Sequence, residues 1–153
     1  MFYKRFLQVK KTLLFIAFLL IVLVATSQPI KQKHLPSIVI NAFQLKFPKA
    51  SEDQWELEKG FYKVEFILDG TIHEAWLDYM GRVERQKHEI ALEQLPHAVK
   101  GSLQKIFNGY RADNVERFEE GKTIYYKMRL LKPGEKRKVM FDQQGKLMGN
   151  NSN

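Results

Sequence analysis

Cysteine is absent from all 153 residues. That excludes a disulfide framework, a thiol nucleophile and a lipid-modified cysteine at a processed N-terminus. Hydrolase signatures are missing as well, with no G-x-S-x-G elbow and no H-E-x-x-H pair. Beyond residue 27 the few serines, Ser37, Ser51, Ser102 and Ser152, stand in no nucleophile motif. His34, His73, His88 and His97 lack metal-ligand spacing. Asp78-x-x-Gly81 and Asp142-x-x-Gly145 lack the alternating oxygens and distal glutamate of a calcium loop, and read as hairpin turns. No catalytic residue, metal or cofactor is therefore expected. Clustered basic residues of the kind that grip nucleic acid are also absent, so no nucleic-acid partner is expected.

The chain has no apolar run of the roughly 20 residues that a spanning helix needs. Thr12 to Val24 is shorter, follows the cations Lys4, Arg5, Lys10 and Lys11, and leads into the small residues Ala25-Thr26-Ser27. This is the pattern of an export signal at residues 1–27, cleaved after Ser27, with membrane contact only before cleavage. The expected location is periplasmic or secreted. Removing those four cations lowers the formal net charge from +8 to +4, a mild balance suited to an acidic partner. What remains is long enough for one domain, with a stability of about 5–15 kcal/mol.

That domain repeats itself. Phe61-Tyr62-Lys63-Val64-Glu65-Phe66 is answered 64 positions on by Tyr125-Tyr126-Lys127-Met128-Arg129-Leu130, and Asp78 and Gly81 by Asp142 and Gly145. Leu35-Pro36 and Leu95-Pro96 open similar apolar segments 60 positions apart. Two copies of one unit imply a single fused sheet with a twofold-like internal relation. The expected organisation is a flexible lead at 28–34, one domain over 35–149 built from copies 35–93 and 94–149, and a disordered tail at 150–153.

Each copy reads as a helix followed by strands. Pro36 suits a first helical turn, Ile38, Val39, Ala42, Phe43 and Phe47 form one stripe, and Phe47-Pro48 ends it. In the second copy Val99, Leu103, Ile106 and Phe107 form the stripe, closed by Asn108-Gly109. Strands are expected over 54–58, 61–68, 72–78 and 82–87, then 114–119, 123–131, 136–142 and 146–148. The Asp69-Gly70 turn fixes the first hairpin, setting Phe66 against His73, Val64 against Ala75 and Tyr62 against Leu77. A four-residue turn at Lys132–Glu135 sets Met128 against Val139 and Tyr126 against Phe141. Tyr62, Val64, Phe66, Leu77, Tyr126, Met128, Leu130, Val139 and Phe141 should be core. The reverse choice would bury Lys127, Arg129 and Lys138 under a helix, at several kcal/mol per unpaired charge. His73 reads as a half-buried histidine beside Phe66.

These motifs resemble the PepSY-like family of beta-lactamase-inhibitor-like proteins, common in the Bacteroidetes group. The likeness rests on an export signal, Leu-Pro helices ending at Phe47-Pro48 and near Gly109-Tyr110, Trp55, a Tyr-x-Val-x-Phe strand, an Asp-x-x-Gly turn and Phe141-Asp142-Gln143-Gln144-Gly145-Lys146. It spans about residues 35–149, and Tyr79-Met80 departs from the pattern at a loop tip. The resemblance implies an α+β fold: tandem helix-plus-antiparallel-strands repeats forming one curved antiparallel sheet with helices on one face. It also implies an exported protein with a binding or inhibitory role.

The sheet face without helices would carry Phe61, Lys63, Ile67, Ile72, Trp76, Tyr125, Lys127, Arg129, Lys138 and Met140. Large apolar groups ringed by charge mark an interaction surface. Rings and lysine stems covering one another, as Lys63 does opposite Trp76, is the competing account. These ten residues are the candidate binding set, for an envelope or extracellular protein or peptide. The alternatives are an anionic envelope ligand, such as a lipid headgroup or glycan, and a purely structural module.

Overall fold

The computed structural model of the chain describes residues 29–152, and the export-signal reading at residues 1–27 lies outside them. The described chain runs β1 (Pro29–Ile30), α1 (Ser37–Lys46), β2 (Ser51–Glu58), β3 (Phe61–Leu68), β4 (Thr71–Leu77) and β5 (Val83–Glu89). It continues with α2 (His97–Ile106), β6 (Arg111–Glu120), β7 (Thr123–Lys132), β8 (Glu135–Asp142) and β9 (Leu147–Ser152). All nine strands join one antiparallel sheet in chain order, so every strand lies beside its sequence neighbour. The fold is α+β. Among the described residues no helix is long and apolar enough to cross a membrane.

Both hairpin registers follow the turn chemistry. Phe66 faces His73, Val64 faces Ala75 and Tyr62 faces Leu77. Met128 faces Val139 and Tyr126 faces Phe141. Their shared side meets the helices. Phe43 of α1 sets its ring 5.0 Å from Phe66 and 5.1 Å from Trp55, both edge-on, the arrangement favoured by ring quadrupoles. Val99 of α2 packs with Tyr126, Met128, Leu130, Val139 and Phe141. The two apolar clusters remain separate, one per half of the chain. Eight of the nine expected core residues are buried, and Tyr62 is half-buried against the first cluster.

Several boundaries differ from expectation, each for a physical reason. The lead is not free: Pro29 and Ile30 pair with Glu56 and Trp55, giving the β2 edge a short partner. The tail is not free either, because Asn150 and Asn151 pair with Val139 and Lys138. Pro36 and Pro96 stand just before their helices with extended ψ rather than inside the first turn. Strands β2 and β6 start earlier than expected, at Ser51 and Arg111, because a bulge in each lets pairing resume. The bulges contain Glu52 and Asn114, both at positive φ, one opposite Glu65–Ile67 and the other opposite Lys127–Arg129. Ile38 and Ile106 are exposed, so the stripes narrow to Val39, Ala42, Phe43 and Phe47, then Val99, Leu103 and Phe107.

At the end of the first half, beside the junction, His73 and His88 face each other across β4 and β5. Their rings stack with centroids 4.5 Å apart, and Phe66 stacks on His73 at 5.5 Å. Burial, then the neighbouring His88, pushes the His73 pKa below the usual histidine value of 6.5, with Asp69 opposing weakly. Burial, then Arg117, lowers His88 in the same way, with Glu119 opposing. Below pH 6.5 the unfolded chain therefore binds protons that the folded chain resists, so stability falls as pH falls. Above that pH the contribution is fully present. Urea midpoints should drop between pH 7.5 and pH 5.5, and a His73→Gln/His88→Gln variant should flatten that slope.

Candidate functional site

Side chains directly opposite in an antiparallel sheet share a face, so the register alone assembles the side away from the helices. Lys63 faces Trp76, Trp76 faces Arg85, and Glu74 faces Lys87. Across the junction Lys87 faces Phe118, Phe118 faces Tyr125, and Lys127 faces Met140. One continuous surface thus crosses both halves.

Its centre is filled. Trp76 is only 6% exposed and Tyr125 only 9%, so neither is the open anchor expected from the sequence. No helix covers them; cations and neighbouring rings do. The Arg85 guanidinium carbon lies 4.0 Å from the Trp76 ring centre, and the Lys63 ammonium 5.7 Å from it. The indole N–H donates to Glu58 at 3.0 Å. Tyr125 stacks on Phe118 with centroids 5.0 Å apart and planes 8° from parallel, while the Lys127 ammonium sits 4.3 Å from the Phe118 centre. Burial, then Glu120, raises the Tyr125 phenol above its usual pKa.

Ion pairs stitch the first half of this face. Lys63 bridges Glu56 at 2.9 Å and Glu74 at 3.1 Å, and Lys87 bridges Glu74 at 2.7 Å and Glu116 at 3.2 Å. Burial works against the charge on both lysines, yet these carboxylates hold their pKa values above the ordinary lysine range. Of the other candidates, Ile72, Lys127, Arg129 and Lys138 are exposed, while Phe61, Ile67 and Met140 are half-buried.

The second half differs in sign. Glu65 and Glu74 face each other in the first half; 64 positions on, Arg129 and Lys138 occupy the same places and also face each other. Directly opposed like charges are unfavourable. The first half answers Glu74 with Lys63 and Lys87, and Glu65 makes no ion pair among the described residues. The second answers Arg129 with Asp113 at 2.5 Å, and Lys138 makes no ion pair among the described residues. A groove of about 480 Å³ opens here, lined by Lys127, Arg129, Lys138 and Met140, with Glu116, Asn114 and Asn151 at its sides. The matching space in the first half, about 310 Å³, is lined by Glu56, Lys63 and Glu65. Four of the ten candidate residues therefore converge on one groove, whereas Phe61, Ile67 and Ile72 lie away from it.

Sequence reading missed Arg85, Lys87 and Phe118. For Phe118 a signal existed: Gly121-Lys122 joins β6 to β7 so tightly that Glu120 pairs Thr123, which sets Phe118 against Tyr125. For Arg85 none did, because a bulge between Trp76 and Leu77 shifts the register of β5.

The family model described as "Putative beta-lactamase-inhibitor-like, PepSY-like" matches the chain twice, over residues 23–80 and 61–149. No curated protein matches the sequence. Among solved structures, one described as "putative periplasmic proteins" from Bacteroides eggerthii superposes with a TM-score of 0.71 at 18% identity, covering 78% of this chain and 89% of its own. A BLIP-like protein from Bacteroides fragilis superposes with a TM-score of 0.67 at 20% identity, covering 77% and 86%. At those identities the likeness establishes the fold.

Proposed function

The chain belongs to the PepSY-like, beta-lactamase-inhibitor-like family, and on that footing we propose that it is an exported, non-enzymatic binding protein that holds a protein partner against the helix-free face of its sheet. The observation that carries this reading is the face itself. It crosses both halves, is backed by a filled layer at Trp76, Phe118 and Tyr125, and presents Ile72, Lys127, Arg129 and Lys138 to solvent. A rigid backing beneath exposed groups limits the ordering cost of association.

The two family matches, with the helix-then-four-strands order appearing twice, support a tandem repeat with one helix per copy. Export is supported by the charged, apolar and small-residue order of residues 1–27, and by the periplasmic description of the Bacteroides eggerthii relative. A binding rather than catalytic role fits the chemistry of the face, where carboxylates and ammonium groups mostly neutralise one another. On this reading the protein acts as an inhibitor or sensor-type partner of another envelope protein.

The test is capture from envelope extract of the source bacterium. Ile72→Asp in the first half or Lys127→Glu in the second should release a partner that wild type retains. Leu45→Asp, on the solvent side of α1 where the side chain is 86% exposed, should leave it bound. Retention by both face variants would refute the reading.

A further inference from the structure

We propose that the groove over β6–β9 takes an extended acidic segment of the partner, added beside β9 as a further strand with its carboxylates directed at Arg129 and Lys138. This rests on the reading that the partner engages the helix-free face, and it names the chemistry engaged there.

Charge is the first argument. The two halves share a backbone frame, and at one matched pair of positions they carry opposite signs: Glu65 with Glu74, Arg129 with Lys138. In the first half Glu74 is answered twice, by Lys63 and Lys87, from neighbouring strands of the same face. In the second, Glu116 is drawn to Lys87, Asp113 answers Arg129 alone, and the exposed Lys138 makes no ion pair among the described residues. A facing pair of cations is unfavourable in the free protein and favourable once carboxylates lie across it.

The sheet edge is the second. β9 is the last strand, and among the described residues nothing pairs on its outer side. Its sequence, Leu-Met-Gly-Asn-Asn-Ser, has no lysine, proline or inward charge to block a new strand. The opposite edge is guarded by a two-residue strand that includes Pro29. An unblocked edge offers backbone donors and acceptors to an extended chain, the mode known as strand addition.

Distance joins the two. Adjacent strands lie about 4.8 Å apart, so an added strand would run roughly 10 Å from β8. A glutamate and a lysine side chain reach across that gap together. Two residues along β9 from Asn151, Gly149 is opposite Met140 and contributes no side chain, and the Met140 methyl lies beneath it. Asn151, paired with Lys138, adds an amide at the groove side. A second copy of this chain fits worse, because β9-to-β9 pairing would place two sets of cations on one surface.

The experiment uses fluorescein-labelled octapeptides of alternating threonine and glutamate, or threonine and lysine, and reads anisotropy with the full domain. The glutamate peptide should bind, weaken as salt is raised, and slow amide exchange in β9. An Arg129→Glu/Lys138→Glu variant should bind it about tenfold more weakly or worse, and should take the lysine peptide instead. Lys138→Gln, a milder change, should give a smaller loss with no gain for the lysine peptide. Equal binding by the charge-reversed variant, or undiminished binding of a peptide N-methylated at alternate residues, would overturn the proposal. So would binding confined to phosphatidylglycerol vesicles, self-association through β9, or no peptide binding at all. If envelope capture is lost with Ile72→Asp yet survives Arg129→Glu/Lys138→Glu, this inference fails while the sheet-face reading stands.

Discussion

Truncating Trp76 to alanine should lower the unfolding free energy by about 3–5 kcal/mol, the range for deleting a large buried ring. A surface anchor would cost within about 0.5 kcal/mol of stability and show its effect only in binding. The difference lies in what surrounds the indole. It is 6% exposed, lies under Arg85, and donates its N–H to Glu58. The Arg85 Nε is itself buried without a hydrogen-bond partner among the described residues, so the ring face is its main compensation. Removing the ring leaves a cavity and a stranded guanidinium. Urea denaturation of wild type and Trp76→Ala measures the effect. Trp76→Phe should recover much of the loss, lacking chiefly the bond to Glu58, which is worth about 1.5–3 kcal/mol for a charged acceptor. A loss below about 1 kcal/mol for Trp76→Ala would return this residue to the role of an exposed anchor.

Gly145→Ala should cost about 3 kcal/mol, combining a left-handed backbone with overpacking. Gly145 has φ +79, and a methyl group there would press on the Ala98 carbonyl and come within 2.8 Å of Ser102 Oγ in α2. The loop around it is held by Asp142, whose carboxylate accepts the Lys146 N–H at 2.8 Å. The first half repeats the device. Asp78 accepts the N–H groups of Met80 and Arg82, and Gly81, with φ +80, would meet Ala42 at 2.7 Å and the Ile38 carbonyl oxygen at 2.9 Å. Gly81→Ala should therefore cost a similar amount. Gly121→Ala is the control: φ is +57 but nothing lies within 4 Å, so only the backbone cost of about 1 kcal/mol applies. Thermal or urea midpoints that rank Gly121→Ala with Gly145→Ala would show that close approach to the helix contributes nothing.

Gly81 and Gly145 also show what sequence can and cannot convey. Their spacing after Asp78 and Asp142 marked two turns, and the turns were correct, but the press of each glycine against a helix is a tertiary fact with no local signature. Hairpin registers were legible because Asp69-Gly70 admits one geometry and because slipping by one residue would bury Lys127, Arg129 and Lys138. Alternation therefore assigned faces to most residues correctly. What alternation cannot give is depth. Trp76 and Tyr125 point away from the helices as read, yet Trp76 is covered by Arg85, whose strand pairs across a bulge, and Tyr125 by Phe118, whose ring stacking no alternation pattern reports. The short strand at Pro29–Ile30 and the continuation of β9 to Ser152 were missed for a related reason: polar segments pair when an open edge is nearby, and hydrophobic pattern does not report edges.

Because the two apolar clusters stay apart, each half can change its outward chemistry without disturbing how the other is packed. Backbone pairing between β5 and β6, together with ring and ion-pair contacts laid over that junction, is what ties them. Duplication in such a frame yields a scaffold with two independently editable ends, and the sign reversal between Glu65/Glu74 and Arg129/Lys138 is what that independence permits. A fold built from two similar halves thereby acquires polarity, with facing acids at one end of the outward surface and facing cations at the other.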